Sequence, residues 1–205
     1  MWEFDKSVAD RFNQEAQQHI PDYDRVIDMC IDIARTKEFS SDINVVDVGS
    51  ATGNTVDKFI KAGYVNTYGV ESSQSMLDQS LHKERIILSD KFPKMPCEFV
   101  MANWTLHFVK QRKEYIQDIY NNMTDGVFIL SDKTTQSETI KKLYYDFKRS
   151  NGITEEYIKN KEEMLKGYMS TLPTQWYIEA LQEIGFTNVQ IVNSNLGFVT
   201  FYCEK

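Results

Sequence analysis

The chain has 205 residues, 41% of them hydrophobic and 13% aromatic, and its 23 basic against 30 acidic side chains leave a formal net charge of -7. This composition excludes an intrinsically disordered chain, no run reaches the roughly 18 to 20 apolar residues of a membrane span, and the acidic balance argues against nucleic-acid binding by bulk charge, though not against a local basic patch. One domain over residues 1–205 is expected because single cores stop growing near about 250 residues, and the opening MWEFDKSVADRF has no signal-peptide pattern, which makes a cytoplasmic location the expectation.

Two helices are predicted first. Ser7 as an N-cap, with Val8, Phe12 and Ala16 at helical spacing, predicts a helix over residues 7–19, and Val26, Ile27, Cys30, Ile31 and Ala34 predict another after Pro21. The period then changes: residues 43–48, INVVDV, form a β-branched run suited to a strand buried on both faces. Strands at 67–70, 86–88, 98–102 and 127–130 alternate with helices through Phe59, at 75–81 and at 111–121, the pattern of right-handed crossovers on a parallel sheet. Residues 138–169 read as wholly helical, within a helical insertion spanning about 136–170. A helix at 174–184 ends at Gly185, a suitable C-cap, and two β-rich runs joined by NSNLG predict a closing hairpin. Cys30, Cys97 and Cys203, odd in number and far apart, fit buried free thiols better than a disulfide framework or a zinc pattern.

The chemistry-bearing residues fall at strand ends. After the first strand comes D-V-G-S-A-T-G, with Asp47, Gly49 and Gly53, in which glycine lets a ligand approach the backbone and the next helix offers its free N–H groups. A dinucleotide fingerprint would put glycines where Ala51 and Asn54 stand. The Asp-x-Gly-x-x-x-Gly form is similar to the loop of class I S-adenosylmethionine-dependent methyltransferases, as is a parallel sheet ending in an antiparallel hairpin; a glycine turn after a buried strand also occurs in any doubly wound fold. Glu71 closes the second strand about 20 residues on, where an acid can accept bonds from two ribose hydroxyls. Asp90 follows the third strand, where the fold commonly supports an adenine amino group, and Asn103 lies at the carboxyl edge of the fourth; a solvated acid is the plainer reading of Asp90.

Longer strings narrow the resemblance. W-x-F-D from Trp2, I-P-D-Y from Ile20, N-W-T-L-H-F-V from Asn103, L-S-D-K from Leu130, Y-D-F-K-R-S-N-G from Tyr145 and K-E-E-M-L from Lys161 together resemble the carboxy-S-adenosylmethionine synthases of tRNA wobble-uridine modification. The resemblance implies a Rossmann-like α/β fold with a mostly parallel seven-stranded sheet, a homodimer, no metal, and S-adenosylmethionine or its carboxylated form as cofactor. It implies cofactor contacts at Tyr23, the Gly49-Ser50-Ala51 turn, Glu71 with Ser72, Asp90 with Lys91, and Asn103. It also implies transfer of a carboxyl group from prephenate, with release of phenylpyruvate, and an arginine to hold the new carboxylate through its planar donor fork. Here that position is Glu162, with Lys161 beside it. An unscreened like-charge contact at about 4 Å costs on the order of 4 kcal/mol at an effective dielectric of 20.

The sequence therefore points to an S-adenosylmethionine-dependent transferase, most simply a methyltransferase of a small anionic substrate. An authentic carboxy-S-adenosylmethionine synthase, with Lys161 or Arg149 replacing the missing arginine, is the enzyme alternative, and a non-catalytic cofactor-binding protein is the other. Candidate catalytic residues are His107, Tyr145, Lys148 and Arg149, and candidate substrate contacts are Lys148, Arg149, Lys161 and Glu162. An ordinary loop histidine, core packing of Tyr144 and Tyr145, and a solvated basic helix face for Lys141, Lys142, Lys148 and Arg149 are the plainer readings. Direct nucleic-acid binding is not expected.

Overall fold

A computed structural model describes residues 6–205, so the Trp2 to Asp5 string lies outside the described residues. Seven strands form one sheet in the order β3-β2-β1-β4-β5-β7-β6. These are β1 (Val45–Val48), β2 (Thr67–Glu71), β3 (Ile86–Leu88), β4 (Cys97–Asn103), β5 (Met123–Lys133), β6 (Thr187–Asn195) and β7 (Phe198–Glu204). Strands β1 to β5 pair in parallel, and β7 runs antiparallel to both β5 and β6. Each of the four residues of β1 is buried, Asp47 included, as its β-branched sequence demands of a central strand.

The helices are α1 (Lys6–Ala9), α2 (Phe12–His19), α3 (Tyr23–Thr36), α4 (Asn54–Lys61), α5 (Gln74–Gln79), α6 (Arg112–Asn122), α7 (Glu138–Ser150), α8 (Glu155–Leu165) and α9 (Thr174–Ile184). Cys30, Ile31 and Ala34 of α3 and Phe59 of α4 pack on Val45, Phe99, Met101 and Ile129, covering one face of the sheet. Ile116 and Ile119 of α6 and Tyr177, Leu181 and Ile184 of α9 pack on Val46, Val100, Phe128 and Phe201, covering the other. The two layers leave the carboxyl ends of β1, β2 and β4 open. There the order reverses from β1 toward β2 on one side and β4 on the other, which is where open α/β sheets bind ligands.

Several expectations change in detail. The helix expected over 7–19 is two pieces broken at Asp10 and Arg11, so Ser7 lies inside α1 instead of capping it, and the bend seats Ala9, Val8 and Phe12 against Ala51 and Met76. The segment expected to be helical through 169 breaks at Gly152, which has φ +83°, and Thr154 then caps α8 by accepting from the Tyr157 N–H at 3.3 Å. Its last residues leave the helix as a turn in which the Ser170 N–H donates to His107 O at 2.9 Å. Strand β5 continues to Lys133, three residues beyond expectation, because antiparallel pairing with β7 persists to Lys133 and Phe198. The hairpin turns at Leu196 and Gly197, both at positive φ as a tight two-residue turn requires. All three cysteines are buried and free, and among the described residues no helix is long and apolar enough to cross a membrane.

Candidate active site at the carboxyl edge of the sheet

A cavity of about 1270 Å³ opens over the carboxyl ends of β1, β2 and β4, between the sheet and α2, α7 and α8. That exceeds the roughly 300 to 1,000 Å³ typical of a site for one small molecule. On its sheet side, Gly49 takes φ +70°, and a Cβ there would lie 2.2 Å from Thr105 Oγ1. The turn after β1 is tied to β2 by the Gly49 N–H donating to Val70 O at 2.8 Å and by the Ala51 N–H donating to Glu71 Oε2 at 2.9 Å. Glu71 Oε1 accepts from the Ser73 N–H at 2.8 Å, so both carboxylate oxygens are fixed by backbone donors. Burial raises the Glu71 carboxyl above its ordinary range against the pull of these backbone bonds. Burial, with the Glu71 charge adding to it, pushes the Asp47 carboxyl up to about 8. Asn103 Oδ1 is buried without a hydrogen-bond partner among the described residues. Tyr23 stacks on Trp104, ring centroids 4.8 Å apart, and closes the wall beside Asn103.

The opposite side carries basic charge. Lys133 at the end of β5 and Lys148 of α7 stand over one ring, Tyr144, at 4.6 and 4.4 Å from its centroid. Neither ammonium has an ion pair or hydrogen bond among the described residues. Burial first, then the charges of Lys133 and Lys161, lower Lys148 to about 7, and burial lowers Lys133 to about 8. His19, on the same wall, is lowered to about 3 by burial and by Lys161, Lys148 and Lys133. Two neighbouring lysines of the wall are matched: Lys161 pairs with Glu15 at 3.0 Å, and Lys141 pairs with Glu162 at 2.5 Å. Glu162 also accepts from the Tyr145 hydroxyl at 2.6 Å. Against its partial burial, these two bonds hold the Glu162 carboxyl below the ordinary range.

His107 forms part of the wall between these halves, its Nδ1 hydrogen-bonded to Asp132. Asp132 is fully buried and its second oxygen accepts from the Tyr177 hydroxyl at 2.7 Å. Tyr177 in turn accepts from Arg112 at 2.6 Å.

Of the residues expected from sequence, Tyr23, Asp47, Gly49, Ser50, Ala51, Glu71, Ser72, Asp90, Lys91, Asn103, His107, Tyr145, Lys148, Lys161 and Glu162 all line this cavity. Gly53 does not; at φ +79° it begins α4, and a Cβ there would meet Ser80 Oγ at 2.5 Å, so its requirement is local packing. Arg149 is also outside the wall. It points outward from α7 and pairs with Asp146 and Glu155 at 2.5 and 2.7 Å, so it is not placed to replace the missing arginine. Tyr144, read from sequence as a pocket-lining residue or a core one, is buried in this wall, whereas Lys133, Glu15 and His19 line it without having received a binding role from sequence, although L-S-D-K marked Lys133. No cluster of metal-ligating side chains occurs among the described residues.

A family model for a methyltransferase domain matches residues 22–191 of this chain. The chain belongs to that family. Among curated relatives, this methyltransferase-domain chain is 29% identical to the carboxy-S-adenosyl-L-methionine synthase of Nautilia profundicola, covering 100% of this chain and 94% of the relative. It is also 29% identical to the enzyme of that name from Helicobacter hepaticus, over 100% and 95%. Among solved structures it is similar to magnesium protoporphyrin IX methyltransferase from Synechocystis PCC 6803 with bound SAH, with TM-score 0.72, 11% identity and coverage of 98% and 96%. A putative S-adenosyl-L-methionine-dependent methyltransferase from Methanococcus maripaludis gives TM-score 0.69 at 16% identity, over 100% and 95%. The Rossmann-like methyltransferase fold expected from sequence is thus the fold of this chain.

Proposed function

We propose that this chain is an S-adenosylmethionine-dependent transferase acting on a small anionic acceptor, most simply by methyl transfer. The observation that carries the reading is the pair Lys133 and Lys148, two ammonium groups without a carboxylate partner, in the same cavity as Asp47, Glu71 and Asn103. The sheet side suits the cofactor. The turn at Gly49 has no room for a side chain, and the partnerless Oδ1 of Asn103 calls for a donor from a ligand. Asp47 would receive the ammonium group, Glu71 the ribose hydroxyls, and Asp90 with Lys91 the adenine end. The bound cofactor supplies an already activated sulfonium methyl group. The residues of the opposite wall then contribute positioning: Lys133 and Lys148 hold the anionic end of the acceptor, and the aromatic walls exclude water.

Carboxy-S-adenosylmethionine synthesis from prephenate is the second reading, favoured by the two relatives of that name. It is also favoured by the state of Glu162, whose charge is matched by Lys141 and Tyr145 beside two unmatched lysines. Incubation with S-adenosylmethionine and prephenate separates the two, because only the synthase releases phenylpyruvate. Calorimetric binding of S-adenosylmethionine against its carboxylated form gives the same decision. Clear preference for the carboxylated form replaces the first reading with the second, and no binding of either removes both.

A further inference from the structure

His107 lies where the two halves of the cavity meet. Two residues before it, Thr105 packs on the Gly49 turn, and the His107 carbonyl accepts from the Ser170 N–H at the end of the helical insertion. Its Nδ1 faces Asp132 Oδ1, and the His107 backbone N–H reaches the same oxygen at 3.3 Å. Asp132 Oδ2 accepts from Tyr177, whose oxygen accepts from Arg112 Nη1. Arg112 is held in turn by the carbonyls of Leu106 and Ser170, at 2.7 and 2.6 Å. This chain fixes the direction of every proton. The arginine can only donate, so the tyrosine must donate onward to Asp132, and an Asp132 carboxylate can only accept. Nδ1 of His107 therefore carries the hydrogen, and the lone pair of the neutral ring lies at Nε2. Nε2 has no partner among the described residues, and His107 forms part of the cavity wall.

We infer that His107 Nε2 takes the proton from a protic nucleophile, a hydroxyl or amine, carried by the anionic acceptor. The inference rests on the transferase reading and narrows its substrate class. In the step, the O–H or N–H bond breaks with its proton passing to Nε2. The freed pair bonds to the sulfonium methyl carbon as the carbon–sulfur bond breaks, its electrons returning to sulfur to leave a neutral thioether. The imidazolium then gives the proton to water. A thiolate acceptor has no proton to lose and does not use this group.

Two probes isolate the role: 3-hydroxybenzoate and 3-mercaptobenzoate, which share the carboxylate for Lys133 and Lys148 and differ in whether the nucleophile needs deprotonation. The full chain is assayed with S-adenosylmethionine and each probe by mass spectrometry. In His107→Gln, transfer to the hydroxyl should fall about 100-fold or more, the usual worth of a positioned base, and transfer to the thiol should fall far less. Asp132→Asn should reproduce the split, and cofactor binding by calorimetry reports that each variant still folds around its site. Long-range proton–nitrogen spectra of the unsubstituted chain should show the Nδ1–H form of the neutral His107 ring. A Nε2–H form, or equal loss with both probes, overturns the inference, as does hydroxyl transfer unaffected by His107→Gln. Transfer to neither probe in the unsubstituted chain removes the inference together with the transferase reading. Thiol transfer without hydroxyl transfer keeps that reading and removes only the role of His107.

Discussion

Tyr145 donates its hydroxyl hydrogen to Glu162 at 2.6 Å while Lys141 pairs with the other carboxylate oxygen at 2.5 Å. The acid that stands where the family resemblance calls for an arginine is therefore held inside a small neutralised cluster, and its repulsion of an anionic ligand is lower than that of a bare charge. Reversing it to Glu162→Arg adds a forked donor next to Lys133 and Lys148, both of which lack carboxylate partners. The ratio of affinities should then move toward carboxy-S-adenosylmethionine by about tenfold, or about 1.4 kcal/mol. Glu162→Gln should move it less. Calorimetry with the two ligands checks the order, and an unchanged ratio in Glu162→Arg removes Glu162 from carboxylate recognition.

Asp47, pushed up to about 8 by burial and by the nearby Glu71 charge, is mostly protonated at pH 7 in the ligand-free chain. A cationic ammonium beside it favours the charged carboxylate, so binding should expel a proton. Titrating S-adenosylmethionine at pH 7 in two buffers of different ionisation enthalpy should show release approaching one proton. Asp47→Asn should abolish that release and weaken binding. Net proton uptake by the unsubstituted chain would contradict this role.

The alternation of strand and helix was readable because β-branched runs such as VVDV and VFIL are short, continuous and bounded by turn residues. The reach of Lys133 was not, since its place depends on the pairing that β7, some 65 residues later, offers to the polar S-D-K segment. The split of the basic cluster was readable in part. Lys141, Tyr144, Tyr145 and Lys148 recur at helical spacing and share the inner face of α7, whereas Lys142 and Arg149 fall on the next stripe outward. The support of His107 was not readable, because Asp132, Tyr177 and Arg112 come from three elements whose sequence gives no pairing signal.

Gly49 has φ +70°, and a Cβ there would sit 2.2 Å from Thr105 Oγ1. Gly49→Ala must therefore strain the turn and displace Thr105, which leads directly to His107. A loss of about 1 to 3 kcal/mol in stability is expected from the strained backbone. Cofactor affinity should fall more than tenfold, because the turn forms the floor of the cofactor side. Thermal melting and calorimetry measure the two effects separately; Gly63→Ala, at a positive-φ position with nothing within 4 Å, serves as the control for backbone strain alone.

Lys148 should trade stability for binding. Burial and the charges of Lys133 and Lys161 lower it to about 7, so between pH 7 and the ordinary lysine value the unfolded chain binds more protons than the folded one. Stability due to this residue must then rise with pH across that window, and the cost of burying its charge is greatest below it. Lys148→Met removes the charge and keeps the apolar stem against Tyr144. At pH 6.5 the variant should melt at least 2–4 °C higher than the unsubstituted chain, the shift expected for about 1 kcal/mol in a chain of this size. The gap should close as pH approaches 10. Binding of 3-hydroxybenzoate should weaken in the same variant, because one of the two ammonium groups without a carboxylate partner is gone. Melting curves from pH 6.5 to 10, read alongside that binding, test both halves; a Lys148→Met variant that melts lower than the unsubstituted chain at every pH would show that Lys148 is held by a partner and is not an uncompensated charge.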